Sequence, residues 1–399
     1  MEGPIHPADA GLDGAVEGIQ RNVAWLSTLL AAPDGSQGIW ERIKIDLEQV
    51  VDRVRPDCTA EAWHAFRHAA GLGAGPNAEP IADHIADHLL RYLLSQQRAD
   101  GAFAFYERTD STSGWQSGTS DSLYPNDNGK TLEMLTYAHR DNPGVASVDR
   151  LARLADFLVD RQSEDGRFLR EDGSFAGPCY VTWPVIGLAR AFRLTQDGRH
   201  RAAALRGVRW LAAQQADDGR LRTSFELTGA EAWRPASSET AEALRAFALT
   251  QRLLGEDLNA HIAGAADFLR RLTTADGAIR NCDQTCVDAA LQNDPSLTDL
   301  VYTDGYALHA WLDAWRATGD RRHLDAARSL AAFLLAIQTR DGSVAWDGAW
   351  RGSYDVDRAE WRGRADQRNA IDEGGAYSVY TGWCNATITN GLIRLVAAR

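Results

Sequence analysis

The sequence predicts an all-α fold in which six outer and six inner helices alternate along the chain and close into a ring, an (α/α)6 barrel (toroid). Three observations predict it: a short repeat that follows every second helix, two helical classes that alternate, and connections that are long and short in turn. Self-similarity of this kind indicates one supersecondary unit stacked many times. Closing the ring gives every helix a neighbour on both sides, so no end repeat needs a cap.

The repeat reads aromatic residue, Leu, three residues, Gln, two residues, Asp-Gly. Four copies match it in full: Tyr92–Gly101, Phe157–Gly166, Trp210–Gly219 and Phe333–Gly342. A fifth, Phe268–Gly277, lacks only the Gln, and a sixth, Trp25–Gly35, carries one extra residue. Apolar residues at three- and four-residue spacings precede the turn, which is typical of a helix with one buried face. We expect the Gly to supply the left-handed C′ position that ends each helix.

The helices between these repeats are more apolar and richer in small residues, as expected for inner helices packed on all sides. They are predicted at 59–72, 129–138, 180–194, 239–254, 302–317 and 377–397. No proline-rich or serine-rich linker divides the chain, so residues 1–399 are interpreted as one toroid domain.

The connections predict where a site would lie. Outer helices lead through Asp-Gly into long segments, whereas inner helices return through short ones such as 195–198. The long segments therefore meet at one mouth of the barrel, together with the N-termini of the inner helices, whose partial positive charge suits anionic groups. Long loops are where binding and catalysis concentrate, so candidate residues are expected at this mouth.

The composition argues against several function classes. A net charge of −13 disfavours a nucleic-acid partner. No apolar run reaches membrane-spanning length, so no membrane partner is expected. The first residues lack the basic and apolar stretches of a secretory signal, and five cysteines, an odd number in a long chain, fit reduced thiols. The expected location is cytoplasmic.

Two resemblances follow from these features. The aromatic-Leu-x3-Gln-x2-Asp-Gly repeat resembles the helix-ending repeat of the squalene–hopene cyclase and prenyltransferase superfamily. The alternation of long and short connections resembles the six-hairpin glycosidases, among them unsaturated glucuronyl hydrolases, and the related epimerases and polysaccharide lyases. Both resemblances imply the toroid, and neither is specific for one reaction, because a fold does not dictate a function.

The first residues of the inner helices include the candidate catalytic groups. Five of the six openings contain a carboxylate, and glycosidic chemistry needs two, one protonated and one ionised. We expect Asp127 to pair with one of Glu239, Asp304 or Asp372. Asp127-Asn128 resembles the Asp-Asn with which unsaturated glucuronyl hydrolases open an inner helix, where the Asp serves as general acid/base. The alternative for such acids is helix capping alone.

The same openings supply candidate substrate-binding residues. Aromatic faces stack on sugar rings, and Lys130, one of only two lysines, can anchor a carboxylate as a point charge. Arg55 and Arg234 occupy matching Arg-Pro positions, where they either grip a substrate carboxylate or pair with neighbouring acids to hold the rim. The full set is Arg55, Asp57, Tyr124, Asn128, Lys130, Trp183, Trp233, Arg234, Tyr302, Glu373, Tyr377 and Trp383.

Other chemistries remain as alternatives. Gly382-Trp383-Cys384 resembles the Gly-Trp-Cys of lanthionine-forming cyclases, which bind zinc through two Cys and one His, but the chain has no Cys-His pair. Terpenoid cyclases need an Asp-rich motif, and the nearest string, 355–358, has Arg in place of the final acid. No metal and no cofactor is therefore expected. A non-catalytic ligand-binding protein is the further alternative.

The predicted function is a carbohydrate-active enzyme, a glycoside hydrolase acting on a short oligosaccharide with or without a uronate. Lyase and epimerase chemistry stay open, because in this barrel all three reactions use carboxylates, tyrosines and histidines at the mouth.

Overall fold

The computed structural model describes residues 7–45, 49–72, 79–108, 121–229, 235–283, 294–362 and 375–398. Within these ranges long helices alternate between two layers, which confirms the predicted (α/α)6 barrel. The outer layer is formed by α1 (Pro7–Ser27), α3 (Glu79–Ser95), α5 (Val148–Asp160), α7 (Gly198–Ala213), α10 (Asn259–Leu272) and α12 (Arg321–Ile337). The inner layer is formed by α2 (Pro56–Ala69), α4 (Pro125–Asp141), α6 (Cys179–Thr195), α9 (Ala236–Leu254), α11 (Gly305–Thr318) and α13 (Thr387–Val396).

The inner helices form a closed ring. Each contacts the next one along the chain, and α13 contacts α2. Close approach is possible where side chains are small: a Cβ atom on Gly129 of α4 would collide with the backbone of Trp183 and Pro184 on α6. The apolar core lies between the two layers, where residues such as Leu158 of α5 and Leu188 of α6 are fully buried.

The Gln of the repeat joins neighbouring outer helices. Gln215 Nε2 donates to the carbonyl oxygen of Gly219 in its own turn (2.9 Å) and to that of His261 on α10 (3.0 Å). The same pair of bonds, to its own turn and to the next outer helix, recurs at Gln97 and Gln162. Gln338 also bonds to the next outer helix, but its second bond is to Gly348, beyond its own Asp-Gly turn. For Gln338 the next helix is α1, at Gly18, so these bonds also join the last outer helix to the first.

The Gly of the repeat lies beyond the helix end. Helix α7 ends at Ala213, whereas Gly219 lies in the turn of a short hairpin that is bridged between Gln215 and Leu221. Its φ of 89° is in the left-handed region, and a Cβ atom there would collide with the backbone of Gly264 on α10. The expected C′ position was therefore wrong: the Gly permits a positive φ and a close approach between outer helices.

Two small antiparallel sheets order the long connections at the mouth. One has the strand order β3-β2-β1-β7, with β1 at Trp40–Lys44, β2 at Gln49–Val54, β3 at Glu107–Arg108 and β7 at Ser378–Tyr380. In it Arg42 pairs with Tyr380, which ties the segment before α2 to the segment before α13. The other has the order β4-β5-β6, with β4 at Leu297–Asp299, β5 at Ser353–Asp355 and β6 at Glu360–Trp361.

Three shorter elements complete the mouth. A five-residue helix, α8 (Ser224–Thr228), lies between α7 and α9 and begins with a capping box formed by Thr223 and Glu226. Two π-helical turns, Leu300–Asp304 and Thr381–Ala386, precede α11 and α13. Such turns are rare in proteins, and those that occur are often found at functional sites. Among the described helices, none has both the length and the apolar character needed to cross a membrane.

Candidate active site

Arg55 holds three carboxylates together at the mouth. Its guanidinium makes two hydrogen bonds to Asp57 (3.0 and 3.2 Å) and one to Glu41 on β1 (3.0 Å). Its Nη2 lies 3.1 Å from Asp127 Oδ2 on α4. Of the two roles considered for Arg55, the structure therefore places it in a rim ion pair, with Asp57 as expected and with two further acids.

Burial strengthens this cluster. The Arg55 side chain is 10% exposed, and burial lowers its pKa, but Asp57 and Asp127 outweigh that effect and hold the pKa well above its ordinary value. Burial likewise raises the pKa of Glu41, yet Arg55 and two neighbouring arginines bring it below its ordinary value. Arg55 and Glu41 thus stabilise the charged forms of each other.

A second ion pair lies one helical turn deeper. Lys130, three residues after Asp127 on α4, places its Nζ 2.9 Å from Glu61 Oε2, and Glu61 comes four residues after Asp57 on α2. Lys130 also donates to the Tyr306 hydroxyl on α11 (2.8 Å). Both ion-paired side chains are at most 5% exposed, so the pair lies well inside the barrel.

The pKa of Glu61 is set by burial and by its neighbours. Burial is the largest effect and raises its pKa; Lys130 and the Thr387 hydroxyl, 2.8 Å from both carboxylate oxygens, act in the opposite direction. The balance is a pKa of about 7 instead of 4.5. A carboxyl with such a pKa is present in both protonation states near neutral pH, as general acid–base catalysis requires.

Trp383 connects the two ion pairs. Its indole Nε1 donates to Asp57 Oδ2 (2.5 Å), and its ring centre lies 5.1 Å from the Arg55 guanidinium carbon and 4.2 Å from Lys130 Nζ. The Gly382 position before it packs so closely on α2 that a Cβ atom would collide with the backbone of Cys58. The π-helical turn therefore sets the indole between the two charged groups.

Aromatic side chains from three inner segments surround Lys130. Its Nζ lies 5.5 Å from the ring centre of Trp183, 5.1 Å from that of Tyr306 and 4.2 Å from that of Trp383. Trp183 and Tyr306 meet edge to face, with ring centres 4.8 Å apart, and Tyr302 packs similarly on Trp383 at 5.6 Å. These contacts are cation–π arrangements that stabilise a buried ammonium.

The predicted helix caps are absent from the acids for which they were considered. Asp57 and Asp127 lie inside the first turns of α2 and α4, whose N-cap residues are Arg55 and Tyr124, and neither cap makes a side-chain hydrogen bond. Asp304 is the N-cap residue of α11 by position but makes no capping bond. Capping alone does not explain these three acids.

Asn128 and Tyr124 lie beside Asp127 but face different neighbours. Asn128 exchanges hydrogen bonds with the backbone N–H and carbonyl of Phe103 (2.8 and 3.0 Å), which fixes the segment before α4. Tyr124 packs edge to face on Phe105 at 4.9 Å and on Tyr180 at 6.3 Å. The Tyr180 hydroxyl, which sequence analysis did not select, accepts from Arg170 at 3.0 Å.

The structure does not bring Glu239 or Asp304 to the Arg55 cluster. Glu239 accepts hydrogen bonds from the Ser224 hydroxyl (2.6 Å) and backbone N–H at α8. Asp304 accepts from Thr298 on β4 (2.9 Å), and burial raises its pKa well above the ordinary value. Tyr377 is 46% exposed. The remaining candidates, Trp233, Arg234, Asp372 and Glu373, lie outside the described residues.

The only described group with metal-ligand geometry lies elsewhere, on the outer layer. Asp156, Asp197 and His200 present ligand atoms within 4.8 Å of one another. Arg199 occupies the space between the carboxylates, 2.8 Å from Asp156 and 2.7 Å from Asp197, and Asp197 caps α7 through the Arg199 backbone N–H. This is the geometry of a capped helix start with an ion pair. The described cysteines, Cys58, Cys179, Cys282 and Cys384, are buried.

Comparison with solved structures identifies similar folds. A D-mannose isomerase superposes with a TM-score of 0.68 at 13% identity, covering 100% of both chains. A cellobiose 2-epimerase from Spirochaeta thermophila gives 0.69 at 15% identity, covering 98% of this chain and 97% of the other. A GH76 α-mannanase from Bacteroides thetaiotaomicron gives 0.62 at 12% identity over 98% of each.

The chain has their (α/α)6 toroid fold. At these identities the likeness establishes the fold alone. No protein-family model matches the sequence, and no curated protein matches it. The chemistry of the barrel mouth therefore has to be argued from its own residues.

Proposed function

We propose that this chain is a carbohydrate-active enzyme that hydrolyses glycosidic bonds, with Glu61 as general acid and Asp127 as the carboxylate that activates water. The observation that carries the proposal is the presence of two carboxyl groups near the barrel axis in opposite environments. Glu61 has its pKa raised to about 7 by burial, whereas the Asp127 carboxylate lies 3.1 Å from the Arg55 guanidinium. Environments that separate two carboxyl groups in this way define an acid and a base.

The spacing of the two groups supports this assignment. Asp127 and Lys130 lie one turn apart on α4, and Lys130 contacts Glu61 directly. Three residues along α4 correspond to a rise of about 4.5 Å, so Asp127 and the Lys130–Glu61 pair lie at neighbouring levels of the mouth. Glycosidases likewise hold two carboxyl groups close together.

The neighbouring side chains support a sugar as substrate. Trp183, Tyr306 and Trp383 provide aromatic faces next to both carboxyl groups, and such faces bind the apolar sides of sugar rings. By name, similar solved structures include an isomerase of mannose, an epimerase of cellobiose and a mannanase. A type II terpene cyclase also has this fold, with a TM-score of 0.58 at 14% identity, but three of these four names are those of sugar-active enzymes, which favours a sugar.

A neutral sugar fits the mouth better than a uronate. Arg55 already contacts three carboxylates, and Lys130 contacts one. Either side chain would have to break an ion pair before it could bind a carboxylate of the substrate. The third nominated cation, Arg234, lies outside the described residues. We therefore propose a short neutral oligosaccharide.

Sugar isomerisation or epimerisation is the second candidate. It is favoured by one observation: the Tyr306 hydroxyl lies 2.8 Å from the same ammonium that pairs with Glu61. Glu61 in its ionised form would take a proton next to a sugar carbonyl, and the Lys130–Tyr306 pair would stabilise the negative oxygen. In this role Glu61 works as a base and not as an acid.

The deciding experiment follows products by NMR in D2O. The wild-type protein is incubated with cello-oligosaccharides, manno-oligosaccharides, mannose and the corresponding uronate-bearing oligosaccharides. New reducing ends support hydrolysis, whereas deuterium incorporation beside the carbonyl carbon with an intact glycosidic bond supports isomerisation. Saturable binding with no product contradicts both and favours a binding protein.

Variants then test the residues. Glu61→Gln and Asp127→Asn should each lower turnover by about 10²–10⁴-fold with the fold retained. Glu239→Gln is the matched control, because this buried glutamate binds Ser224 and not the Arg55 cluster. Full activity of Asp127→Asn excludes it from the chemistry, and loss of activity in Glu239→Gln alone moves the acid to α9.

A further inference from the structure

The Thr387 hydroxyl lies within hydrogen-bond distance of three oxygens. Thr387 is the first residue of α13 and directly follows the π-helical turn Thr381–Ala386. Its Oγ1 is 2.8 Å from both carboxylate oxygens of Glu61 and 3.0 Å from the carbonyl oxygen of Gly382. A hydroxyl has one hydrogen, so it donates to only one of these oxygens at a time.

The protonation state of Glu61 decides which oxygen receives this hydrogen. An ionised carboxylate can only accept, so the Thr387 hydroxyl donates to it, in a bond that is stronger than one to a neutral oxygen. A protonated carboxyl carries a hydrogen that Lys130 does not accept, because an ammonium has no free lone pair. The Thr387 oxygen accepts that hydrogen, and its own hydrogen then points to the Gly382 carbonyl.

The Gly382 carbonyl keeps a donor in either arrangement. The backbone N–H of Thr387 also donates to it, in a bond shared with the Cys384 carbonyl at the end of the π-helical turn. The hydroxyl therefore turns away from Gly382 without leaving a buried acceptor unpaired, which would be costly. Thr387 is 1% exposed and Glu61 4%, so bulk water has little access to their contact.

His309 of α11 holds the Thr387 backbone from the other side. The Arg394 guanidinium, which can only donate, lies 2.7 Å from His309 Nδ1, so this nitrogen accepts and the ring hydrogen is on Nε2. Nε2 donates to the Thr387 carbonyl oxygen at 3.0 Å. Burial and nearby arginines keep the pKa of His309 well below its ordinary value, so this bond does not change near neutral pH. The backbone of Thr387 is thus fixed while its hydroxyl turns.

We propose that Thr387 is a positioning residue for the acid step: its hydroxyl accepts a hydrogen bond from protonated Glu61 and donates one to ionised Glu61. This rests on the proposed role of Glu61 as general acid. When the proton passes from Glu61 to the leaving oxygen of the glycosidic bond, one O–H bond breaks and another forms. The Thr387 O–H bond stays intact and only turns from Gly382 to the carboxylate, where it stabilises the new charge.

A ¹³C NMR titration of the free protein, labelled at the carboxyl carbons of its glutamates, tests the contact without any substrate. The Glu61 signal is the one that Glu61→Gln lacks. Thr387→Val keeps the shape of the side chain without the hydroxyl, and the Glu61 midpoint should rise by about 0.5–1 pH unit, because the charged form loses the stronger bond. Thr387→Ser keeps the hydroxyl and should titrate like the wild type. Thr387→Ala should shift as the valine variant does, and it serves if that variant does not fold.

Thr389→Val is the matched control. This threonine lies two residues further along α13, is fully buried and donates its hydroxyl to Asn22 Oδ1 at 2.8 Å, away from Glu61. The Glu61 midpoint should be unchanged in it. An unchanged midpoint in Thr387→Val and Thr387→Ala, or an equal shift in Thr389→Val, overturns the proposal.

The pH profile of turnover is the second arm of the test. In Thr387→Val the falling limb should move to higher pH together with the NMR midpoint, and kcat below the limb should drop about tenfold with little change in KM. Thr387→Ser should restore both. A midpoint that moves while the limb does not would contradict the acid role of Glu61, whereas a midpoint that does not move contradicts the role of Thr387, so the two failures are distinguishable.

Discussion

The Lys130 ammonium lies 4.2 Å from the ring centre of Trp383, whose indole N–H donates to Asp57 on the neighbouring helix. One side chain thus contacts the two ion pairs of the mouth, Arg55 with its carboxylates and Lys130 with Glu61. The acid/base groups of the proposed reaction are held in fixed positions relative to each other through this indole.

Replacing Trp383 with Phe should lower kcat/KM by about tenfold or more, because the N–H donor to Asp57 is lost while an aromatic ring remains over Lys130. Steady-state kinetics on the substrate identified by NMR measures this. Trp346→Phe is the matched control, since that indole donates to Asp341 in an exposed loop (2.8 Å) and should leave kcat/KM unchanged. Equal losses in both variants would indicate a general effect on folding.

Arg55→Gln should destabilise the fold by about 3–5 kcal/mol, because Glu41, Asp57 and Asp127 lose their shared cation while remaining buried. Arg358→Gln breaks a pair whose arginine is 56% exposed and should cost less than about 1 kcal/mol. Urea unfolding of both variants measures the loss in the free energy of unfolding that each substitution causes.

The pH dependence of this loss follows from Glu41. In the wild-type protein its pKa lies below the unfolded value, so its contribution to stability is present above about pH 4.5 and is lost on acidification. Without Arg55, burial should raise the carboxylate pKa values instead. The deficit of Arg55→Gln should therefore be larger at pH 8 than at pH 5, and an equal deficit at both would show that Arg55 acts mainly through packing.

Gln215→Ala should destabilise the protein by about 1–3 kcal/mol, because the side chain makes three hydrogen bonds, one to Gly219 in its own turn and two to His261 on α10. The adjacent Gln214 makes one long bond within its own helix (3.4 Å), so Gln214→Ala should change stability by less than about 0.5 kcal/mol. Thermal unfolding measures the melting temperature of each variant. Equal melting temperatures for Gln215→Ala and Gln214→Ala would contradict the proposed role of the repeated Gln.

Sequence periodicity predicted the barrel because the repeat motif occurs once for each outer helix. It did not reveal what the repeated Gln and Gly do, because their partners lie on the next outer helix: Gln162 bonds to Ala203, 41 residues away, and Gln215 bonds to His261, 46 residues away. The two small sheets were also missed, because strands of two to six residues within long connections carry too little periodicity.

The candidate site was predicted in part. Arg55, Asp57, Asp127, Lys130 and Trp383 meet as a group, since residues at inner-helix openings converge on one mouth. Glu61 was not predicted because it lies in the second turn of α2, beyond the helix opening. Its spacing of four residues from Asp57 was the available signal, since that spacing puts both acids on one helix face.

One predicted acid, Asp304, faces elsewhere for a reason of helix geometry. Asp304 lies two residues before Tyr306, and two residues correspond to about 200° around a helix. Tyr306 reaches Lys130 inside the barrel, so Asp304 is directed away, towards Thr298 on β4. Position at a helix start does not by itself determine which way a side chain points.

The central claim is that Glu61 acts as a general acid at the barrel axis, and the pH dependence of turnover tests it most directly. With a pKa of about 7, Glu61 is protonated below neutrality, so the rate of hydrolysis should fall as the pH rises through about 7. Glu61→Gln should remove most of the activity, and the remaining rate should no longer fall as the pH rises through 7. A rate that rises through pH 7 would assign Glu61 as the base of an isomerase, and a profile identical in wild type and Glu61→Gln would contradict any role for it in the chemistry.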